Sequence, residues 1–335
     1  MEYSADSTHD LIEYCFPHSN LSCTRKARTR DEYALMYVFF SSISVFTVFV
    51  NLLVIISISH FKQLQTPTNL FILSLAVADL LIGGIVMPVE GMRLVESCWF
   101  LGKELCNFFP AVICILVSAS LGHLVFIAVD RYVAVCKPFF YASTMTTGKS
   151  VACIVLCWLS SAVYNWTLLH VNENMNNPER QSSCLGECLL LIDFTWSIID
   201  LVFSFILPCC ILFTLYLIIF FEARNQARAI TAQQGSISNN VKYAISKSSD
   251  RKAAKTLGIV IFVYLMCWIP YYISILTQES TSITVYVLSW LMYMNSFVNP
   301  LIYAMFYPWF KVSIRHIVTL KILDTSSSHL HLLPQ

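Results

Sequence analysis

The sequence predicts an all-α membrane protein: a bundle of seven transmembrane helices followed by a short amphipathic helix. Of the 335 residues, 57% are hydrophobic and only 12% are charged, whereas a soluble domain carries roughly 25% charged residues. The apolar residues also gather in seven runs, each of about 20 residues or more, the length that crosses ~30 Å of hydrocarbon. Together these features argue against a soluble globular protein, a disordered tail and a nucleic-acid-binding protein.

The seven runs contain almost no charge. In chain order they are Tyr33–Ser59, Leu70–Val89, Leu105–Val129, Ser150–Leu169, Phe194–Phe221, Thr256–Thr277 and Ser280–Phe310. Each is too long for a barrel strand of about 10 residues and lacks an alternation of period two. Because open, irregular backbone cannot lie in lipid, each run is predicted to be a helix. We number them span one to span seven.

Lysine and arginine near the span ends predict an extracellular N-terminus. With that orientation the inner segments hold 14 basic and 4 acidic residues, and the outer segments hold 7 basic and 14 acidic residues. The net charge of +1 therefore hides a strong polarity across the membrane. The predicted division is an extracellular segment 1–32, a seven-span domain 33–307 and a cytoplasmic helix and tail 308–335, in the plasma membrane.

The N-terminal segment has two further features. The first 32 residues contain no apolar stretch, so no cleavable signal peptide is expected. Asn20 opens the sequon Asn-Leu-Ser on the predicted outer side, which makes it the expected glycosylation site.

Two acidic residues interrupt the spans, and each requires a partner or a function. A carboxylate at mid-membrane costs about 2.5–3.5 kcal/mol on insertion scales. Asp79 lies in span two, and hydroxyl and amide oxygens on other spans would suit a hard cation such as sodium around it. The residues that carry them are Asn51, Ser120, Asn295, Ser296 and Asn299. A hydrogen-bonded network around a protonated Asp79, without an ion, is an equally open interpretation.

Asp200 is the second intramembrane acid. It lies eight residues before Pro208, which places it ~12 Å further along span five, toward the outer end. Ser204 follows one turn further in on the same face. A lone carboxylate there is expected to face a wet cavity and bind a cation; the alternative is an internal partner, for which Arg93 is the nearest candidate. The aromatic residues expected around such a cavity are Trp196, Trp268, Tyr271, Tyr272, Trp290 and Tyr293.

Ordered motifs make the chain resemble the rhodopsin-like G-protein-coupled receptors over nearly its whole length. They are Asn51, LAVAD ending at Asp79, Cys106, Asp130-Arg131-Tyr132, Trp158, Pro208 with Tyr216, CWIP at Cys267–Pro270 and NPLIY at Asn299–Tyr303. A narrower resemblance, to the trace amine-associated receptors, is carried by NSFVNPLIYAMFYPWF at Asn295–Phe310, together with HFKQLQTPTNL, RKAAKTLGI and ESCWF.

The resemblance implies a receptor rather than an enzyme. It implies a small amine ligand and a heterotrimeric G protein of the stimulatory or olfactory class, which raises cyclic AMP in olfactory amine sensing. No cofactor is expected other than a sodium ion at Asp79 as an allosteric modulator, and the composition argues against a nucleic-acid partner; membrane lipid surrounds the bundle. The activation-switch residues that the resemblance implies are Asp130, Arg131, Tyr132, Tyr216, Asp250 and Tyr303. The disulfides that it implies are Cys106–Cys188 and a bridge to Cys184 from Cys23 in preference to Cys15.

One departure from the family pattern concerns the ligand anchor. Amine receptors usually carry an aspartate seven residues after the span-three disulfide cysteine, and here that position is Ile113, followed by Cys114. A non-classical branch of the trace amine family carries its aspartate on span five, where Asp200 stands. The resemblance and the residue argument therefore both indicate Asp200 as the ammonium site. Glu90 offers a second anion for a diamine, and a pair with Arg93 is the rival interpretation.

Other classes of function remain as alternatives. A receptor for a non-amine ligand is the nearer one, because Ile113 removes the usual ammonium partner. A membrane transporter is more distant, since the sequence shows no repeated halves with broken helices. An intramembrane enzyme would need paired catalytic groups, and Asp79 and Asp200 are expected at different depths.

Overall fold

Long helices account for most of the chain in the computed structural model. It describes residues 13–175, 184–188, 193–233, 241–277, 282–306, 308–324 and 327–329. Within these ranges some side chains are not described, including those of 241–257 and 303–306. The helices are α1 (Arg30–His60), α2 (Pro67–Leu81), α3 (Met87–Glu96), α4 (Gly102–Cys136), α5 (Pro138–Thr144), α6 (Thr147–Met175), α7 (Phe194–Asp200), α8 (Leu207–Gln233), α9 (Val241–Thr277), α10 (Ser282–Phe306) and α11 (Pro308–Val318).

The helices map onto the predicted spans in order. Spans one, three, four, six and seven are α1, α4, α6, α9 and α10, while span two combines α2 with α3 and span five combines α7 with α8. Within the described residues, six stretches are long and apolar enough to cross a membrane: Arg30–His60, Pro67–Glu96, Gly102–Cys136, Thr147–Val171, Phe194–Gln226 and Gly258–Thr277. The helix α10 occupies the seventh predicted run.

The helix of span six extends beyond the predicted apolar run. The run was expected to begin at Thr256, and the described membrane-length stretch begins at Gly258, but α9 itself begins at Val241. The intervening segment is rich in lysine and serine, so a hydropathy argument ends the span where the apolar residues end. A helix can continue beyond the membrane because its backbone hydrogen bonds are internal, and α8 likewise continues to Gln233, past the predicted end of span five.

Spans two and five each contain a wide turn that the sequence analysis did not predict. Ile82–Val86 and Leu201–Ile206 are π-helical. Pro88 and Pro208 follow these segments by two residues, and a proline ring cannot donate to the preceding turn and clashes with its carbonyl. A wide turn accommodates the ring without breaking the span. In span five the wide turn starts directly after Asp200.

A close approach joins span two to span one at its wide turn. The hydroxyl of Ser44 donates to the carbonyl oxygen of Gly83 at 2.5 Å. A Cβ added at Gly83 would lie 2.8 Å from Thr47 Cγ2, so any side chain there would push the two helices apart. Thr47 and Ser44 are both buried. Glycine is therefore required at position 83 by packing rather than by backbone conformation.

A disulfide-linked cap covers one end of the bundle and contains two strands of two residues each, which leave the fold class all-α. The strands β1 (Glu13–Tyr14) and β2 (Thr24–Arg25) pair antiparallel. Three disulfides hold the cap: Cys15–Cys98, Cys23–Cys184 and Cys106–Cys188. The second and third are the pairings that the resemblance implies. The first was not predicted, because six outer cysteines allow many pairings and spacing alone does not choose among them.

Backbone hydrogen bonds join the three segments of this cap, which we define as residues 13–25, 97–101 and 184–188. The amide of Cys23 donates to the carbonyl oxygen of Leu185 at 2.9 Å, and the amide of Trp99 donates to the carbonyl oxygen of Gly186 at 2.8 Å. The side chain of Arg25 also pairs with Glu96 at the end of span two. The N-terminal segment is therefore part of the cap over the bundle.

We expect the unpredicted disulfide to stabilise the receptor. Cys15 and Cys98 are 83 residues apart in sequence, and a bridge of this kind typically contributes about 2–4 kcal/mol. Replacing both cysteines by serine should lower the apparent melting temperature of the detergent-solubilised protein. The control is Cys210→Ser, which alters an exposed, unpaired cysteine of α8. Equal melting temperatures for the double variant and the control would contradict this expectation.

Candidate functional site

The carboxylate of Asp200 lies where spans four, five and six meet. Ser204 Oγ donates to its Oδ1 at 2.6 Å, and the Tyr164 hydroxyl donates to the same oxygen at 3.3 Å. The Tyr272 hydroxyl donates to Oδ2 at 3.3 Å. None of the ion pairs between described residues involves Asp200. Three neutral hydroxyls therefore orient the carboxylate without neutralising its charge.

The sequence analysis expected two of these three contacts. Ser204 was placed on the face of Asp200, and Tyr272 was expected in the cavity. Tyr164 was missed, because it comes from span four and a single sequence does not show which face of one helix meets another. Trp196 was expected near Asp200; it lies one turn before it on α7, with a half-buried side chain.

A stack of aromatic rings extends from Asp200 into the bundle. The rings of Tyr272 and Trp268 lie 6.0 Å apart with an interplanar angle of 22°, and those of Trp268 and Tyr264 lie 5.1 Å apart at 27°. Phe205 of span five packs on Tyr272 at 4.8 Å. Because aromatic faces attract cations, this stack suits the surroundings of a bound ammonium group.

Other predicted ligand-binding residues lie around the same volume. Tyr271 packs edge to face on Tyr272, which donates to Asp200, with ring centroids 5.4 Å apart. Cys114 of α4 is half-buried, and Tyr293 is buried. Trp290, on the same helix, contacts Tyr293 edge to face at 6.2 Å. Ile113 packs against the main apolar core, which contains Trp268, Tyr272 and Tyr293. It also packs against a small cluster, where the cap meets α4, whose buried members are Trp99, Phe109 and Cys188.

Glu90 has a cationic partner. Arg93 Nη1 lies 3.2 Å from Glu90 Oε1, and Glu90 is only 2% exposed. The same guanidinium donates to the carbonyl oxygen of Cys188 and lies 6.0 Å from the ring centroid of Trp99. Of the two interpretations of Glu90, the geometry shows the pair with Arg93. Arg93, which was the candidate partner for Asp200, is therefore paired with Glu90 instead.

Asp79 lies in a polar cluster between spans two, three and seven. Ser120 Oγ donates to its Oδ1 at 3.1 Å and Asn299 Nδ2 donates to its Oδ2 at 2.9 Å. The Ser296 side chain also hydrogen-bonds to Asp79, and the Ser296 carbonyl accepts from Asn51 Nδ2 at 3.1 Å. Among the described residues, three buried amide oxygens have no protein hydrogen-bond partner: those of Asn51, Asn295 and Asn299. Unpartnered carbonyl oxygens beside a carboxylate fit the coordination preference of sodium.

Asp130 and Arg131 form an ion pair near the C-terminal end of α4, on the side of the bundle away from the cap. Arg131 Nη2 lies 2.6 Å from Asp130 Oδ2. Thr68 Oγ1 donates to the same oxygen at 2.7 Å, and the Tyr141 hydroxyl donates to Oδ1 at 3.0 Å. Burial raises the pKa of Tyr141, so its phenol stays protonated as a donor. Thr68 and Tyr141 were missed by the sequence analysis, although both belong to this network.

The remaining switch residues are only partly described. Tyr216 packs against α9, since a Cβ added at Gly258 would lie 2.7 Å from its ring. Tyr132 packs at the edge of the main apolar core. The side chains of Asp250 and Tyr303 lie outside the described residues, so their predicted contacts with Arg131 stay predictions.

Comparison with known proteins identifies the class to which this fold and these sites belong. The family model of the 7 transmembrane receptors (rhodopsin family) matches residues 50–303. Receptors of this class are multi-pass membrane proteins that bind a small molecule and act on a G protein.

Individual relatives narrow the family. Trace amine-associated receptor 13c of Danio rerio is 38% identical over 332 residues, covering 97% of both chains. Trace amine-associated receptor 7d of Mus musculus is 40% identical over 344 residues, covering 99% of this chain and 94% of its own. Trace amine-associated receptor 6 of Homo sapiens is 37% identical over 332 residues, covering 96% of both. The chain therefore belongs to the trace amine-associated receptor family of rhodopsin-like G-protein-coupled receptors.

We expect Tyr141→Phe to raise ligand-independent activity. The change removes the donor to Asp130 Oδ1, and one hydrogen bond contributes ~0.5–1.5 kcal/mol. If the Asp130–Arg131 pair holds the inactive state, basal nucleotide exchange on purified G proteins should rise by about 2- to 10-fold. The control is Tyr14→Phe, an exposed tyrosine of β1 in the cap. Basal exchange equal to the control would show that this hydroxyl does not hold the inactive state.

Proposed function

We propose that this protein is a receptor for small cationic amines of the non-classical branch of its family, with the ligand ammonium bound by Asp200. The proposal includes signalling through a stimulatory-class G protein to cyclic AMP, as an olfactory amine sensor. One observation carries it: the Asp200 carboxylate accepts three hydroxyl hydrogen bonds and has no ion-pair partner among the described residues. The relatives' name, trace amine-associated receptor, supports amines as the ligand class.

The hydrogen bonds of Asp200 suggest how an ammonium group would bind. The two tyrosine hydroxyls lie at 3.3 Å, longer than the 2.6 Å contact with Ser204. An ammonium group adds the attraction between two opposite charges, which a neutral hydroxyl donor lacks, so it can displace a tyrosine hydroxyl while Ser204 keeps the carboxylate oriented. Ile113, at the usual anchor position, offers no competing charge.

Contacts between Asp200 and span six suggest how binding is transmitted. Tyr272, which donates to Asp200, stands two residues after Pro270 in the continuous helix α9. Proline removes one backbone hydrogen bond, so the helix can bend there at low cost. A ligand that replaces the Tyr272 contact changes the balance between two positions of α9. In this mechanism an agonist acts through its differential affinity for the two states, and the Asp130–Arg131 pair opens in the active one.

The arrangement of the cysteines supports an extracellular N-terminus. All three disulfides lie in or beside the cap, and disulfides persist in oxidising compartments. On that side Asn20 is exposed and is the proposed glycosylation site. Asn165, in a second sequon, is 3% exposed and donates to Ser118 Oγ at 2.9 Å, so its amide is unsuited to modification.

The inner end of the bundle carries the proposed G-protein surface and membrane-surface helix. Phe139 of α5 is 93% exposed, and an exposed aromatic residue beside the switch is suited to a protein contact. In α11, Trp309 and Phe310 are buried while Lys311 and Arg315 are exposed. This pattern supports an amphipathic helix at the inner membrane surface and the proposed division between 33–307 and 308–335.

A sodium ion at Asp79 is proposed as an allosteric modulator. The carboxylate and the unpartnered amide oxygens of Asn51, Asn295 and Asn299 would supply its ligands, with the Ser120 hydroxyl nearby. Such an ion would stabilise the packing of spans two, three and seven that the structure shows, and so favour the state in which these spans lie together.

The decisive test of the ammonium site is Asp200→Asn, which keeps the shape of the side chain and removes its charge. Losing one member of a buried charge pair costs about 2 kcal/mol or more, so amine potency in a cyclic AMP reporter should fall about 30-fold or more. The control is Asp193→Asn, which alters an acid at the start of the same span. An amine response that survives Asp200→Asn would favour a different ligand site or a non-amine ligand.

Glu90→Gln tests the diamine hypothesis. Because Arg93 pairs with Glu90, we expect the substitution to change mono- and diamine potencies by the same factor, within about twofold. It should also lower thermal stability, since the buried guanidinium loses its charged partner. Matched monoamines and diamines of equal chain length provide the comparison. A selective loss of diamine potency would instead support a ligand that spans Glu90 and Asp200.

A further inference from the structure

A cavity opens sideways between spans three, four and five. Its volume is about 350 Å³, at the lower end of the range of small-molecule sites. Val125, Phe203 and Leu207 contribute to its apolar wall, and Ser160, Tyr164 and Ser204 contribute polar groups. Phe203 and Leu207 are 58% and 48% exposed, and Ser160 is exposed as well. Because these residues lie on membrane spans, the cavity faces the lipid.

This lateral cavity shares two residues with the Asp200 site. Tyr164 and Ser204 line the cavity and both donate to Asp200 Oδ1, whereas Tyr272, toward the bundle interior, donates to Oδ2. The carboxylate therefore stands at the wall between the lateral cavity and the aromatic interior. A rotation of the Tyr164 side chain, whose hydrogen bond is the long one at 3.3 Å, would expose Oδ1 to the cavity.

Among the described residues, the cap closes the outer end of the bundle beside spans two and three. Trp99 and Cys188 of the cap and Phe109 of α4 are each at most 5% exposed. Arg93 joins span two to the cap through the Cys188 carbonyl. Disulfides fix the cap at three places. On the lateral side, by contrast, only the side chains of Tyr164 and Ser204 among the described hydrogen-bond donors of Oδ1 line the cavity.

We propose that the lateral cavity binds the hydrocarbon chain of an amphiphilic alkylamine, whose ammonium group pairs with Asp200 and which enters from the outer leaflet. This inference rests on the proposed amine-receptor function and specifies its ligand class. An apolar wall next to a carboxylate that has no ion-pair partner among the described residues matches the two halves of such a ligand. Ligand potency should therefore rise with chain length, by about fourfold per added methylene, until the cavity is full.

A substitution at the cavity entrance tests the proposal. Ser160→Phe places a ring in the opening, and its matched control is Ser42→Phe, the same change at an exposed serine of span one. The probes are n-alkylamines from ethylamine to decylamine, assayed by cyclic AMP response at matched surface expression. We expect Ser160→Phe to lower octylamine potency by about tenfold or more, the contribution of two methylenes, and ethylamine potency by less than twofold. Because both variants are embedded in the same lipid, the partitioning of each amine into the membrane cancels when the two variants are compared.

The outcomes separate this inference from the function on which it rests. If Asp200→Asn abolishes all amine responses but Ser160→Phe leaves octylamine potency unchanged, the lateral cavity is not the chain site and the amine-receptor function stands. If Asp200→Asn leaves the responses intact, both proposals are wrong. An equal loss for short and long amines in Ser160→Phe would show a general structural effect and overturn the lateral site.

If Ser160→Phe does not reach the cell surface, a second variant tests whether the lateral cavity binds the hydrocarbon chain. Phe203→Ala enlarges the same cavity from span five, where the phenylalanine is 58% exposed. It should move the most potent chain length upward by one or two carbons, because more hydrocarbon can be accommodated. An unchanged optimum in Phe203→Ala, with the wild-type response to ethylamine, would overturn the proposal.

Discussion

A carboxylate in a bilayer requires compensation, and the acids Asp79, Glu90, Asp130 and Asp200 of this bundle receive it in two different ways. Glu90 and Asp130 each have an arginine partner, so their charges are balanced by the protein itself. Asp79 and Asp200 are held only by hydroxyl and amide donors among the described residues. An ionised carboxylate that lacks a resident cation favours an external one, because desolvation leaves its charge poorly screened. This difference divides the acids into structural pairs and candidate cation sites.

The position of Asp200 also links ligand binding to helix movement. Its hydrogen-bond donors come from spans four, five and six, so a cation that replaces one donor alters the contacts among three helices at once. Tyr272 is the donor on span six, and its ring continues through Trp268 to Tyr264 in a stack that reaches the bundle core. Packed aromatic rings rearrange between discrete positions rather than deforming gradually. A small change at the carboxylate can therefore select between two positions of α9.

Much of this architecture was predictable from the sequence because the membrane imposes it. Apolar runs must become helices, and an acid within one must have a reason to be there. Contacts between helices were less predictable: Tyr164, Thr68 and Tyr141 each reach a predicted acid from another helix, and helical periodicity does not reveal which faces meet. The Cys15–Cys98 bridge and the two wide turns depend equally on tertiary placement. Hydropathy located the inner end of the sixth membrane span near Gly258 but not the start of α9, because it registers the membrane's edge and not the helix's end.

The replacement of an acid by Ile113 has a structural consequence beyond the loss of a charge. Because it carries no charge, this position can pack with Trp99 and Phe109 under the cap, where a carboxylate would require water or a cation. The span-three side of the site is therefore apolar. The carboxylate of Asp200, which has no ion-pair partner among the described residues, lies on the span-five side. A ligand whose ammonium binds at Asp200 must direct its hydrocarbon part away from that carboxylate. The lateral cavity and the interior aromatic stack are both apolar and both lie next to Asp200, and the effect of Ser160→Phe on long-chain amines distinguishes between them.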